Sequence, residues 1–191
     1  KTYKIKDKAR EVDISIENEN TLIAAQYEFA TVSLGTDHSA AITRDGKLYT
    51  WGANNYGQLG DGTTTQRNIP TYIMDNVASI NMGDYHSAAI TKDGKLYTWG
   101  RNDEGQVGDG TRYNRYSPKH VMSNVLSVEL GFEHSAAITK DGNLYVWGYN
   151  INGQLGDGGA ARSLLRHQPG DPRRRNGAKS AAAGDGHWIS F

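Results

Sequence analysis

Four histidines recur along the chain and are the residues whose type and spacing could support chemistry. They are His38, His86, His134 and His187, and each follows a glycine by three positions. Imidazole nitrogens bind zinc, so a ring of such histidines could hold a metal ion, but a metal site needs converging ligands and a second shell. Because the histidine is identical in every copy, it is most simply a requirement of the fold. We therefore predict hydrogen bonds between neighbouring repeats, with no bound metal or cofactor.

Aspartates and tryptophans recur with a similar spacing. They are Asp45, Asp93 and Asp141, and Trp51, Trp99 and Trp147. A carboxylate could act as a general acid or bind calcium, but each of these aspartates precedes a glycine, which is typical of a tight turn. The tryptophans are predicted to pack in the core or between repeats. The chain has no cysteine, phosphate-binding loop, nucleophile elbow or zinc-protease motif, so we expect no enzymatic activity.

Except for His187, these residues belong to one stretch that occurs three times, at residues 38–52, 86–100 and 134–148. The copy at 38–52 matches the middle one at 14 of 15 positions, and the three start 48 residues apart. A fixed period of this size indicates a solenoid or a propeller. Each copy predicts a β-hairpin with Asp-Gly in its turn. Apolar side chains occupy both the odd and the even positions of these strands, so both faces of each sheet are apolar. This predicts sheets that are covered on both faces.

The pattern Gly-x-x-His-Ser-x-Ala-[Leu/Ile]-Thr-x-Asp-Gly-x-[Leu/Val]-Tyr-x-Trp-Gly-x-Asn-x-x-Gly-Gln-Leu-Gly resembles the regulator-of-chromosome-condensation repeat. The resemblance covers residues 29–158 well and residues 178–187 in part. It implies a β-propeller, which in this family usually has seven four-stranded blades. The expected fold is thus all-β: an incomplete β-propeller of three four-stranded blades, with partial blades at both ends.

The expected organisation follows the repeats. Residues 1–28 are predicted to form an N-terminal hairpin or partial blade, with a turn at 17–20 and a returning strand at 21–27. Three repeats follow at 29–76, 77–124 and 125–177, the last with a degenerate basic tail after Gly158. Residues 178–191 would begin a fourth repeat. Its alanines replace larger aliphatic residues, so this end is expected to be the least stable.

Composition excludes several functional classes. Lysine plus arginine equals aspartate plus glutamate at 21 each, so no global field attracts nucleic acid or an anionic membrane. The basic tail from Arg162 to Lys179 lacks interleaved aromatic residues, so we interpret it as a solvated segment. No apolar run is long enough to span a bilayer. Because the chain lacks an initiator methionine, a fragment or processed product is expected. The expected source is a bacterial protein, extracellular or at the cell surface rather than cytoplasmic.

Positions that differ between the copies are free to carry function, and most lie in loops that a propeller gathers at its face. Tyrosine, arginine and other large side chains dominate interface hot spots. Ordinary drift explains any single one equally well, but the set as a whole favours a binding face. The candidate partner-binding residues are Asp37, Tyr56, Asp84, Tyr85, Arg101, Asp103, Glu104, Phe132, Glu133, Tyr149 and Ile151.

The resulting functional prediction is a non-enzymatic protein–protein interaction module whose partner is not identified by the sequence. The resemblance implies one alternative, a guanine-nucleotide exchange factor for a small GTPase, although the inserted wedge of that activity has no counterpart here. A light-sensing role is excluded because the family's photoreceptor has tryptophan where this chain has Thr36, Asp84, Phe132 and Asp185. Self-association, through a dimer at the open C-terminal end of the array, is also expected.

Overall fold

The regular elements of the chain are β-strands. The computed structural model describes residues 2–7, 10–15 and 28–167, with side chains described from residue 28 to residue 163. Every regular element in these ranges is a strand, and they contain no helix. The predicted all-β class is therefore confirmed.

Twelve of these strands form three four-stranded antiparallel sheets in which chain neighbours are also sheet neighbours. The first sheet contains β3 (Phe29–Leu34), β4 (His38–Thr43), β5 (Leu48–Gly52) and β6 (Arg67–Met74). The second contains β7 (Val77–Met82), β8 (His86–Thr91), β9 (Leu96–Gly100) and β10 (Arg115–Met122). The third contains β11 (Val125–Leu130), β12 (His134–Thr139), β13 (Leu144–Gly148) and β14 (Ser163–His167).

The repeated hairpin is closed by its Asp-Gly turn. In the second sheet, Ile90 pairs with Leu96 across the Asp-Gly turn. Gly94 has a φ of 80°, which glycine adopts without steric cost. The Thr91 hydroxyl donates to Asp93 Oδ1 at 2.5 Å, and hydrogen bonds from Lys95 and then Thr91 lower the pKa of Asp93 to about 2. The prediction that these aspartates are turn residues is confirmed.

The core lies between the sheets. Trp99 and Ala89 of the second sheet pack against residues of the first, including Ala40 and Leu48. Ala88, Ile90 and Leu96 of the same sheet pack instead against the third, where they meet Val128, Ala137 and Trp147. The second sheet is thus covered on both faces, as the unbroken apolar pattern predicted. The first strand of each sheet lies nearest to the preceding sheet, since β7 contacts β3 and β4 and β11 contacts β7 and β8.

The two outer sheets each leave one face open within the described residues. Val32 of β3 is 63% exposed, whereas the equivalent Ile80 of β7 is 8% exposed. At the other end, Ile138 of β12 is 39% exposed, whereas the equivalent Ile90 is 4% exposed. Trp51 is only half-buried, unlike Trp99. The same side chain is therefore buried or open according to whether a neighbouring sheet covers it.

The N-terminal hairpin differs from the one that the sequence suggested. Strand β1 (Thr2–Asp7) pairs in antiparallel fashion with β2 (Arg10–Ser15), with Asp7 opposite Arg10. The expected turn at 17–20 and returning strand at 21–27 lie outside the described residues. The alternation of Val12 and Ile14 identifies a strand correctly, but not its partner, because Lys8 and Ala9 between the two strands include no glycine or proline to signal a turn.

The fourth strands also correct the sequence interpretation. The sequence suggests fourth strands around residues 69–74 and 118–122, but they begin at Arg67 and Arg115, so Pro70 and Pro118 lie within them. Each proline falls where the pairing register shifts, which an edge strand tolerates. The third copy does not lose its strand after Gly158, because β14 occupies the fourth position there. The rest of the basic tail and the start of the fourth repeat lie outside the described residues.

Candidate interaction face

Two sets of loops leave the same end of every sheet. In the first sheet, His38 at the start of β4 pairs with Gly52 at the end of β5, and Gly52 also faces Arg67 at the start of β6. The loops between first and second strands and between third and fourth strands therefore project together. We call this end the loop face, and it comprises residues 35–37, 53–66, 83–85, 101–114, 131–133 and 149–162. The Asp-Gly turns lie at the opposite end, the turn face.

A buried asparagine organises each long loop. The Asn54 side-chain nitrogen donates to Asp61 Oδ1 and to the carbonyls of Thr63 and Thr65, each at 3.1 Å. Its side-chain oxygen accepts from the Leu59 amide at 3.0 Å. Asn102 and Asn150 repeat the arrangement in the other two sheets. Sequence reasoning missed these asparagines, although their identity in all three copies was the signal that could have identified them.

A glutamine fixes the backbone of each long loop, as its recurrence in all three copies suggests. Gln58 Oε1 accepts from the Tyr56 amide at 3.0 Å, and Gln106 Oε1 accepts from the Glu104 amide at the same distance. Gln154 does the same for Asn152. The variable residues of the long loops therefore lie on a backbone that these internal hydrogen bonds hold in place, which limits the positions that their side chains can adopt.

A hydrogen-bonded layer joins each sheet to the next. His38 Nε2 lies 3.0 Å from Ser87 Oγ, and Ser87 Oγ donates to the Gln58 carbonyl at 2.7 Å. The Trp99 indole nitrogen donates to that same carbonyl at 2.9 Å. His86, Ser135, Gln106 and Trp147 repeat these contacts one sheet later. We call these two sets the inter-sheet layer.

The layer determines the protonation of its histidines. Ser87 has one hydroxyl proton and donates it to Gln58, so His38 Nε2 must carry the proton of the other bond. His38 Nδ1 is then unprotonated, and it is buried without a hydrogen-bond partner. Burial lowers the pKa of His38 to about 4, against the opposing charge of Asp37. Burial, with a smaller contribution from the neighbouring histidines, lowers the pKa of His86 to about 3.

The structural assignment of the histidines is therefore confirmed for His38 and His86. His134 is half-buried, and burial lowers its pKa as well, while His187 lies outside the described residues. The glycine of Gly-x-x-His has a packing role in the same layer. A Cβ on Gly35 would lie 2.6 Å from His38 Cε1 and 2.5 Å from the Gly83 carbonyl, so a larger residue would displace the histidine.

Three aromatic rings from three successive sheets form a ladder across the loop face. Tyr56 meets Tyr85 edge to face, with ring centroids 5.3 Å apart. Tyr85 meets Phe132 in the same manner at 6.2 Å. Phe132 is 55% exposed and ends the ladder. Edge-to-face contacts of this kind stabilise a cluster by about 0.5–1.5 kcal/mol beyond the area they bury.

Arg101 ties the ladder to two carboxylates. Its guanidinium lies 5.5 Å from the Tyr56 ring centroid and 5.8 Å from that of Tyr85. It forms ion pairs of 2.6 Å with Asp103 and 2.8 Å with Glu133, the latter in the next sheet. We call the three aromatic residues, Arg101, Asp103 and Glu133 the aromatic–arginine cluster. One side chain thereby connects the loops of all three sheets.

Two further arginines adjoin this cluster. Arg162 Nε lies 3.1 Å from Glu104 Oε2, which brings the third long loop against the second. Arg112 Nε donates to the Asp103 backbone carbonyl at 2.6 Å. Sequence reasoning did not place either arginine on this face, because Arg162 was grouped with the basic tail and neither residue has a counterpart in another repeat.

The structure therefore brings together six of the predicted residues, which form the cluster, while Glu104, next to Asp103 in the chain, pairs with Arg162. The other four lie on the same face outside the cluster. Asp37 and Ile151 are exposed, and Asp84 and Tyr149 are half-buried. No group of three or more histidines, aspartates or glutamates that could hold a metal ion occurs among the described residues.

Comparison with known proteins identifies the family. Residues 4–190 match the RCC1-like domain. The chain belongs to this family. The predicted incomplete propeller is confirmed by the three blades and by the solved structures that the chain resembles. Yeast RCC1 (Prp20 of Saccharomyces cerevisiae) is 27% identical with a TM-score of 0.68, over 77% of this chain and 39% of that one.

Curated members of the family match shorter stretches. The human E3 ubiquitin-protein ligase HERC2 is 48% identical over 42 residues, which are 22% of this chain and 1% of HERC2. The ultraviolet-B receptor UVR8 of Arabidopsis thaliana is 51% identical over 39 residues, which are 20% of this chain and 9% of UVR8. The matched parts are thus a small share of the curated relatives. Within residues 2–7, 10–15 and 28–167 there is no long apolar helix of the kind that crosses a bilayer.

Proposed function

We propose that this chain is a protein-interaction module that presents its loop face to a protein partner, with the aromatic–arginine cluster at the centre of the contact. The observation that carries the proposal is the convergence of six residues that vary between repeats. They come from three blades and form one connected cluster. Independent sequence drift at separate loop positions would not be expected to produce residues that contact one another across three blades.

The physical properties of the cluster suit recognition. Aromatic and arginine side chains contribute most of the binding energy in protein interfaces. Here Tyr56, Tyr85 and Arg101 are held by contacts with one another before any partner arrives. Prior ordering reduces the entropy lost on binding, so such side chains bind more tightly than mobile ones. Phe132 remains exposed at the end of the ladder as an apolar contact point.

The relatives also support a protein partner. The solved structures of Prp20 are described as bound to Kap60, and with binding properties to Gsp1p and histones. Those partners belong to Prp20, of which this chain covers 39%. For the present chain we propose only the shared property, which is binding of another protein by a propeller and no catalysis of its own.

The test is site-specific photo-crosslinking on both faces of the protein in its source cells. A photoreactive amino acid at position 132 should crosslink to a discrete protein, and Arg101→Ala should reduce the yield. The matched control is the same amino acid at position 126, where Leu126 is 63% exposed at the turn face. Equal crosslinking from both positions, or none from position 132, would contradict the proposal.

Guanine-nucleotide exchange on a small GTPase is the second candidate function. The observation in its favour is the similarity to Prp20, which covers 77% of this chain. The assay follows release of a fluorescent guanine nucleotide from a GTPase of the source organism. Acceleration that Arg101→Ala or Phe132→Ala abolishes would support exchange. An unchanged rate, together with crosslinking at position 132, would leave the interaction module as the function.

A further inference from the structure

The loop face carries an excess of negative charge, although the chain as a whole has 21 basic and 21 acidic residues. Asp61 and Asp109 are neutralised inside their loops by Arg67 and Arg115. The carboxylates that remain exposed or half-buried on this face are Asp37, Asp84, Asp103, Glu104 and Glu133. The arginines of the loops are Arg101, Arg112 and Arg162, so acidic groups outnumber basic ones.

Arg101 and Arg162 of the loop face already form ion pairs within this chain. Arg101 is shared by Asp103 and Glu133, and Arg162 pairs with Glu104. Asp84 and Asp37 take part in none of the ion pairs formed within residues 28–163. Asp103 Oδ1 is buried and accepts no hydrogen bond in the described part of the chain. Among residues 28–163, carboxylate groups are therefore left on this face without a cation of the same region to pair with.

Arg101 shows what kind of group this face accommodates. Its guanidinium packs on two aromatic rings while two carboxylates hold its nitrogens. Planar, weakly hydrated guanidinium suits this combination of stacking and paired hydrogen bonds better than a lysine ammonium does. The face is thus built from elements that bind arginine, and one arginine of the chain occupies the first position along the ladder.

The second position along the ladder, Phe132, has carboxylates close to it in the sequence and no cation from the described residues over its ring. Phe132 is 55% exposed, it follows Tyr85 in the ladder, and Glu133 is next to it in the chain. Asp84 precedes Tyr85. Arg101 lies over Tyr56 and Tyr85, and among residues 28–163 no cation lies over the ring of Phe132.

We propose that the partner presents a basic, arginine-containing segment to the loop face, and that one arginine of this segment stacks on Phe132 beside the carboxylates of Asp84 and Glu133. The proposal rests on the interaction function above and specifies the chemistry of its partner. Charge complementarity would accelerate association and select against acidic partners, while stacking on Phe132 would favour arginine over lysine.

The test measures binding of short labelled peptides to the whole chain by fluorescence anisotropy. The probe alternates arginine with glycine, and the comparison peptides carry lysine or glutamate in place of arginine. We expect the arginine peptide to bind most tightly, the lysine peptide several-fold more weakly, and the glutamate peptide not at all. Added salt should weaken binding, because the ion pairs are near the surface.

Matched variants locate the binding. Phe132→Ala should weaken the arginine peptide about two- to fivefold, which corresponds to loss of an exposed cation–π contact. Asp84→Asn should weaken both basic peptides, whereas Asp75→Asn, the same change at the turn end of the sheets, should have no effect. Thermal melts check that each variant is folded.

Three results would overturn the inference: no binding of the arginine peptide, tighter binding of the glutamate peptide, or equal effects of Asp84→Asn and Asp75→Asn. The photo-crosslink at position 132 separates this failure from failure of the proposed function. If a protein crosslinks there but the arginine peptide does not compete with it, the loop face binds a partner of another chemistry. If the peptide suppresses the crosslink, both proposals are supported.

Discussion

The inter-sheet layer and the loop face are built from the same repeats, but residues of the layer are identical between repeats whereas residues of the loop face differ. In the layer, the histidine, serine, glutamine and tryptophan are the same in each described contact, and their hydrogen bonds close within the protein. On the loop face, the residues at equivalent positions differ in every blade, as Thr36-Asp37, Asp84-Tyr85 and Phe132-Glu133 show. The difference indicates that a repeat protein separates stability from recognition by position within the repeat.

The comparison has an energetic basis. A polar group buried between sheets costs free energy unless it is paired, so each sheet must supply the same partner to the next and the residues cannot vary. On the loop face, half-exposed side chains can exchange a lost contact for water. Changes to the inter-sheet layer should therefore affect stability, and changes to the loop face should affect binding.

The largest effect is expected for Trp99→Ala. Trp99 is fully buried between two sheets, and its indole nitrogen donates to the Gln58 carbonyl. Removal of a large buried aromatic side chain costs about 3–5 kcal/mol of unfolding free energy. Denaturant melts of the whole chain measure this loss. Trp51→Ala is the matched control, because the same residue is half-buried in the first sheet and should cost clearly less.

Acid should destabilise the inter-sheet layer next. The folded-state pKa values of His38 and His86 are lowered by burial to about 4 and about 3, from an ordinary value of 6.5. Below pH 6.5 the unfolded chain binds more protons than the folded one, so stability falls as the pH drops and is complete only above pH 6.5. Each pH unit costs up to about 1.4 kcal/mol per histidine.

The measurement is unfolding free energy between pH 7 and pH 4, a range above the ordinary aspartate pKa of 3.8, below which the turn carboxylates Asp45 and Asp93 also begin to cost stability. A loss of a few kcal/mol is expected across this range. Substitution of His86 by glutamine, which has no proton to gain, should flatten the profile even if it lowers stability at pH 7. A profile that stays equally steep in this variant would assign the acid sensitivity to other groups.

Self-association of the 191-residue chain is expected through the open face of the third sheet. Ile138 and Leu144 are each 39% exposed there, whereas the equivalent residues of the second sheet are buried. Exposed apolar faces of this kind favour association, and a two-fold contact closes as a dimer. Light scattering at rising concentration should show a dimer that Ile138→Lys weakens. A monomer with a sharp melt across the micromolar range would contradict this prediction.

The repeats made the sheets predictable, because a residue that recurs at a fixed period identifies its own structural role. The structural roles of His86 and Trp99, and the turn role of Asp93, were read correctly from such recurrence. The β1–β2 pairing was not, since residues 1–15 occur once and offer no second copy for comparison. The contacts of Arg101 were equally unpredictable, because its partners lie in three blades and depend on side-chain direction.

The smallest effect on stability is expected for Phe132→Ala. Phe132 is 55% exposed and its ring packs edge to face on Tyr85, so its removal should cost no more than about 1.5 kcal/mol of unfolding free energy. Tyr85→Ala should cost somewhat more, though far less than Trp99→Ala, because Tyr85 also meets Tyr56 and Arg101. Denaturant melts rank the three variants. If Phe132→Ala proves as damaging as Trp99→Ala, Phe132 belongs to the core, and the division between a stabilising layer and a binding face fails at the residue on which it depends most.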